Sequence, residues 1–237
     1  SKTDIYNMKG ICFLSAIPMR NEPSDKAEMI NQVLYGETFD ILKMEVKWSK
    51  IKLHHDKYEG WIDRKQWKEY AGKPTDYKNK NIVSTLFFKN SATIIPAGGL
   101  VDLNSKPTTK NIFQTAKLFL NVPYLWGGRT FMGIDCSGFT QIVFRIHHIF
   151  LLRDAYQQAT QGKKVSLKNC TSNDLAFFAN NEGKITHVGI VLKEKNATKI
   201  IHASGQVRID SLDEKGIWKE ETQSYSHLLH SIKRVTK

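Results

Sequence analysis

Gly133-Ile134-Asp135-Cys136-Ser137-Gly138-Phe139 decides how the second half of this chain folds. It follows a glycine turn, Trp126-Gly127-Gly128, and opens a stretch, residues 137–150, in which Phe139, Ile142, Val143, Ile146 and Ile149 recur every three or four residues. That spacing predicts an amphipathic helix with one buried face. Residues 109–120 carry a second such face in Ile112, Phe113, Ala116, Phe119 and Leu120. Downstream, residues 175–178, 186–192 and 199–203 read as strands, with a further one around 230–235. A helix pair preceding an antiparallel sheet makes this half an α+β domain.

Cys136 stands where that helix begins. A free cysteine has a pKa near about 8.5, and the partial positive charge of a helix N-terminus favours the nucleophilic thiolate. Cys12 and Cys170 lack this setting and read as small buried hydrophobes. Three cysteines without CxxC spacing allow at most one disulfide.

A thiol nucleophile needs a base and something to orient the base. Eight histidines are available: His54, His55, His147, His148, His187, His202, His227 and His230. His147 and His148 lie too far along the cysteine's own helix to reach it. His187, in Ile185-Thr186-His187-Val188-Gly189-Ile190, and His202, in Ile200-Ile201-His202-Ala203-Ser204-Gly205, flank a hairpin turn expected at residues 193–198. A two-residue turn pairs positions whose numbers sum to an odd value. The sum of 187 and 202 is odd, so both side chains belong on one face.

The first half reads differently. Residues 32–34, 38–44, 48–53 and 60–62 are β-rich runs divided by Tyr35-Gly36-Glu37 and His54-His55-Asp56-Lys57, which predicts a small barrel. Gly72-Lys73-Pro74-Thr75-Asp76 marks a boundary, and residues 82–88 and 93–95 read as an added hairpin ending at Pro96-Ala97-Gly98-Gly99. The expected division is residues 1–75, a bridge at 76–106, and a catalytic domain at 107–237.

Composition fits a globular chain: 237 residues, 41% hydrophobic and 24% charged, with 15 Gly and 6 Pro, exclude collagen-like and wholly disordered readings. The net charge of +12 suggests nucleic acid, but the lysines are scattered and no zinc-finger, homeodomain or RNP-like motif is present. The charge therefore narrows a partner only to something anionic. No stretch approaches the roughly 18 apolar residues of a membrane helix, and the first thirty residues lack a signal-peptide core. The chain starts at Ser1 without Met, which is compatible with a leader removed ahead of it.

Four segments, Pro123-Tyr124-Leu125-Trp126-Gly127-Gly128, Gly133-Ile134-Asp135-Cys136-Ser137-Gly138-Phe139, His187-Val188-Gly189-Ile190 and His202-Ala203-Ser204-Gly205, resemble in order the motifs of NlpC-type, papain-like cell-wall cysteine endopeptidases. Glu59-Gly60-Trp61-Ile62 after Trp48-Ser49-Lys50-Ile51 resembles a bacterial SH3-type domain. The resemblance implies a papain-like catalytic domain behind a small SH3-type β-barrel. It makes Cys136 the nucleophile, His187 the general base and His202 its orienter, with Tyr124 beside the oxyanion site formed with the Cys136 N–H.

Leu152-Arg153-Asp154-Ala155-Tyr156-Gln157-Gln158 resembles the Arg-Asp-Ser…Gln segment of the subgroup that cuts between γ-D-glutamate and the diamino acid of peptidoglycan stem peptides, with Ala155 in place of the usual serine. By that likeness Asp154, as a buried carboxylate, holds the free amine of the substrate's L-alanine, aided by Glu28 and Tyr58 of the SH3 domain. Asp135 and Ser137 line the γ-D-glutamyl subsite, although as helix-cap residues they need no such role. The resemblance implies no cofactor, a stem-peptide partner, a monomer, and an envelope location, with the cytoplasm left open. Alternatives are a hydrolase of intact wall that uses the SH3 domain as anchor, and a non-catalytic wall-binding protein. A metal held by Cys136, His187 and His202 has neither HExxH nor paired-cysteine spacing behind it.

Overall fold

A computed structural model describes residues 8–72, 78–100 and 110–236. They fall into two compact units: the residues up to Leu100 together with Leu125–Gly133, and residues 110–124 together with Ile134 onward. The expected domain limits at 75/76 and 106/107 lie outside the described residues. Among the described residues no helix is long and apolar enough to cross a membrane.

The first unit is built from short strands: β1 (Lys9–Cys12), β2 (Ala16–Arg20), β3 (Met29–Leu34), β4 (Thr38–Met44), β5 (Trp48–Leu53), β6 (Glu59–Asp63) and β7 (Trp67–Glu69). They form one sheet in the order β3-β2-β6-β5-β4-β1-β7. Period-two alternation puts Cys12, Ile17, Met19, Val33, Phe39, Ile41, Ile51, Leu53 and Ile62 into a single core. Residues from six strands meet there, so the sheet has to curl around them. Gly60 is required by this closeness, because a Cβ on it would come within 2.4 Å of Met19 Cγ. The sequence reading missed β2, since Pro18 lies inside it and a proline argues against a strand. A separate two-stranded hairpin, β8 (Val83–Phe88) with β9 (Ser91–Pro96), stands where an added hairpin was expected.

Leu125–Gly133 joins this unit through Arg129. It lies on the short strand β10 (Arg129–Thr130), which pairs with β11 (Gly133–Ile134). The Arg129 guanidinium is fully buried and donates from Nη1 and Nη2 to the two carboxylate oxygens of Glu37, each at 3.0 Å, and from Nη1 to the Gln32 carbonyl at 2.8 Å. The Glu37 carboxylate also accepts from the Leu34 N–H at 2.8 Å.

In the second unit the predicted helices are α1 (Ile112–Lys117) and α2 (Cys136–Ile146), shorter than their patterns, followed by the single-turn α3 (Ala155–Gln158). Strands β12 (Lys163–Val165), β13 (Leu175–Ala179), β14 (Ile185–Lys193), β15 (Thr198–Ser204), β16 (Gln206–Leu212), β17 (Gly216–Lys219) and β18 (Ser224–Arg234) follow. Their order is β12-β18-β13-β14-β15-β16-β17, and β18 also pairs with β17. The long β18 reaches β13 through Leu228, Leu229, Ser231, Ile232 and Lys233, and β17 through Ser224, Tyr225, His227 and Leu228, so the sheet closes on itself. Helices and an antiparallel sheet make the α+β fold anticipated from the sequence.

Candidate active site

The N-terminus of α2 positions the thiol. Asp135 is its N-cap and accepts the Gly138 N–H at 2.6 Å, which satisfies one of the orphan donors of the first turn. Every residue of α2 is buried, and it packs on β14 and β15. This fixes Cys136, itself 7% exposed, with Sγ 4.0 Å from the carbonyl oxygen of Thr186, the neighbour of His187.

The thiolate expectation is corrected here. Burial pushes the Cys136 thiol up to about 12, and the negative charge of Asp135 adds to this, against the smaller help of the Val188 and Ser137 N–H groups and the Arg153 guanidinium. Burial, with His202, His227 and Lys219 nearby, pushes His187 well below its ordinary 6.5. The resting pair is thus a neutral thiol and a neutral imidazole. Desolvating a thiolate in this closed place outweighs the partial charge of one helix terminus.

The register of β14 and β15 runs from Lys193 opposite Thr198 to Ile190 opposite Ile201. It puts His187 and His202 on one face, with His187 Nε2 2.7 Å from His202 Nδ1. His202 is fully buried, and its Nε2 lies 2.8 Å from Asp210 Oδ2 on β16. Asp210 in turn accepts from Arg208 Nη2 at 2.7 Å, and Arg208 also binds Glu221. His227 on β18 stacks on His187, the ring centroids 4.1 Å apart and the planes inclined by 24°. Burial, with His202 and Lys219, lowers His227 to about 4.

Neither Asp210 nor His227 was singled out from the sequence. Asp210 was within reach of the same parity argument: β15 and β16 turn at Gly205, His202 stands opposite Arg208, and Asp210 is two residues on, hence on the face of His202. Nothing in the local pattern marks His227, whose place depends on β18 closing the sheet.

Tyr124 is half-buried, its N–H bonded to the Gly205 carbonyl at 2.9 Å. Burial raises its phenol above the ordinary range, and the nearby Cys136 and Asp135 add to this, so the hydroxyl stays a proton donor near the thiol. Asp135 and Ser137 are buried and engaged by an arginine to which the sequence reading gave no role. Arg153 donates from Nη1 and Nη2 to Asp135 at 3.0 and 2.6 Å, and from Nη1 to Ser137 Oγ at 3.0 Å. Asp154 is half-buried rather than buried as expected, because it stands at the N-cap of α3, with its N–H donating to Gln157 Oε1 at 3.0 Å. Tyr156 donates its hydroxyl hydrogen bond to the Asp154 carboxylate. Glu28 and Tyr58 belong to the first unit. Glu28 is exposed and accepts from Trp126 Nε1 at 2.6 Å; Tyr58 packs against the barrel core. Among the described residues no group of three or more His, Cys, Asp or Glu side chains is arranged to hold a metal ion.

Residues 121–226 match the NlpC/P60 family, and residues 19–66 match the bacterial dipeptidyl-peptidase SH3 domain. The chain carries an NlpC/P60 domain, papain-like in fold, preceded by a bacterial SH3 domain. It is similar to γ-D-glutamyl-L-lysine dipeptidyl-peptidases of Bacillus subtilis (strain 168), 39% identical over 51% of this chain and 40% of the relative, and of Bacillus cereus (strain ATCC 10987 / NRS 248), 34% identical over 48% and 35%. The match thus spans well under half of each relative's length. In fold it is similar to the crystal structure of an NlpC/P60 family protein from Bacillus cereus ATCC 10987, with a TM-score of 0.77 at 19% identity, covering 97% of this chain and all of that one.

Proposed function

We propose that the protein is a cysteine peptidase that hydrolyses the bond between γ-D-glutamate and the L-diamino acid of peptidoglycan stem peptides whose L-alanine is free. The observation that carries this is the placement of the Cys136 Sγ against the Thr186 carbonyl of β14, next to His187, whose Nε2 is hydrogen-bonded to His202. Similarity to γ-D-glutamyl-L-lysine dipeptidyl-peptidases supports the bond and the free N-terminus.

His187 takes the Cys136 proton at Nδ1 as Sγ attacks the γ-carbonyl carbon of the D-glutamyl residue. Charge develops on the carbonyl oxygen, where the Cys136 N–H and the Tyr124 hydroxyl serve as donors. Collapse expels the diamino-acid amine, which takes the proton from His187, and leaves a thioester on Cys136. Water gives a proton to His187, attacks the thioester and releases L-Ala-D-Glu, and the thiol recovers its proton. Starting from neutral groups, the proton moves with the attack rather than before it.

Asp154 would hold the substrate ammonium, with Glu28 and Tyr58 of the first unit as further amine-recognising candidates, and Asp135 and Ser137 would border the γ-D-glutamyl residue. A free amine would then be required, because a blocked N-terminus leaves the carboxylate uncompensated. Domains at 1–75 and 107–237 joined by 76–106, a monomeric state and an envelope location complete the reading. The test is mass spectrometry of digests of L-Ala-γ-D-Glu-diaminopimelate, its lysine counterpart, their N-acetylated forms and intact peptidoglycan. Cleavage of the free-amine peptides at least about tenfold faster is expected. Equal rates on acetylated peptides or intact wall would remove the free-amine part, and no cleavage of any substrate would favour a wall-binding protein.

A further inference from the structure

The buried hydrogen-bond chain of the second unit has a direction. Asp210 is 8% exposed, and although burial alone would raise its pKa, hydrogen bonds from His202 and Arg208 outweigh this and keep it ionised below its ordinary 3.8. A carboxylate can only accept, so the His202 nitrogen 2.8 Å away, Nε2, carries a proton. Burial keeps His202 neutral even against the opposing pull of Asp210, so its Nδ1 is bare. That bare nitrogen lies 2.7 Å from His187 Nε2, which must therefore be the donor. His187, also neutral, has only one ring proton to place. Its Nδ1 is left with a free lone pair.

We propose that Asp210 is a positioning residue that sets the tautomer of His187 through the intervening His202 ring, keeping Nδ1 of the base free to accept the Cys136 proton, while Arg208 holds Asp210 in place. Local structure supports the assignment: Gly205 lies between β15 and β16 at φ +72°, His202 stands opposite Arg208, and Asp210 lies diagonally beyond it on the same face. An amide in place of the carboxylate could donate where the carboxylate only accepts. His202 would then carry its proton on Nδ1, His187 would become the acceptor at Nε2, and the His187 proton would sit on Nδ1, the nitrogen that has to accept the Cys136 proton.

The proposal rests on the reading that Cys136 and His187 carry the reaction, and the test separates the two. Asp210→Asn in the full chain should lower kcat about 100-fold with KM within about twofold; an amide one ring closer to the base in a serine-protease triad costs about 10⁴ through the wrong tautomer. Asp210→Glu, still acceptor-only, should recover most of the loss. Ring ¹⁵N shifts of His187 should show protonation on Nε2 in the parent and a shift of population to Nδ1 in the asparagine variant. A merely structural role would not move that population. A parent His187 protonated on Nδ1, or an asparagine variant within about threefold of parental kcat, overturns the proposal. If Asp210→Asn does not fold, the parent's ring shifts decide alone. Turnover surviving in Cys136→Ala would instead overturn the functional reading, and the ring measurement, which needs no activity, would still judge the tautomer.

Discussion

Both units bury an arginine against a carboxylate with two nearly parallel hydrogen bonds, Arg129 on Glu37 in the first and Arg153 on Asp135 in the second. The difference lies in what else the carboxylate holds. Glu37 accepts the N–H of Leu34, a strand residue of the barrel, so its pair ties one part of the wall to another. Asp135 accepts the N–H of Gly138 and so caps the helix turn that bears Cys136, while Arg153 reaches on to Ser137 on the other side of the thiol residue. The same bidentate chemistry ties strands together in one place and holds the helix turn that bears Cys136 in the other. Burial and geometry of an ion pair do not by themselves tell which.

The sharpest way to break that contrast is Glu37→Gln, which removes the carboxylate charge that buried Arg129 pairs with through both terminal nitrogens. It should cost about 3–5 kcal/mol, read as a fall in Tm of roughly 10 °C, while kcat of the folded protein at 20 °C stays near the parent's. A large loss of kcat at unchanged Tm would show that this pair serves the site as well. Arg153→Met should do the reverse in kind. It should lower kcat/KM about 100-fold by loosening the first turn of α2, and a variant that loses only stability would erase the distinction.

Acid should separate the units with a smaller effect. His187, His202 and His227 have pKa values depressed in the folded second unit, His227 to about 4. The unfolded chain binds more protons below the ordinary 6.5, so this unit's stability is complete above that value and is lost as pH falls from there toward 4. Asp56 in the first unit is lowered from 3.8 to about 2: burial opposes this, and His55, Arg129 and the Tyr58 N–H outweigh it. Its contribution, about 2 kcal/mol, is present above 3.8 and fades only as pH drops toward 2. Trp218 reports on the second unit and Trp48, Trp61, Trp67 and Trp126 on the first. The Trp218 signal should change between pH 6.5 and 4 while the other four hold; simultaneous change would refute the separation.

Strong periodicity makes α2, β13, β14 and β15 legible in sequence, and turn parity alone puts His187 and His202 on one face. What escaped depended on contacts between distant segments. The β17–β18 pairing that brings His227 onto His187 has no local signature, and Arg129 and Arg153 look like ordinary surface arginines until the carboxylates that bury them are placed. The state of Cys136 escaped for a similar reason. A helix N-terminus is visible in sequence, but the packing that strips water from the thiol is not.

Closure of the second sheet by β18 also fixes the order in which the cluster around His187 is completed during synthesis. On the ribosome Cys136 emerges long before Ser224–Arg234, and His227 comes only with that last described strand. At roughly 5–20 residues per second the intervening stretch takes on the order of ten seconds to synthesise. As it passes, His187, His202 and Asp210 follow Cys136 along the chain, and His227 stacks on His187 only once β18 closes the sheet.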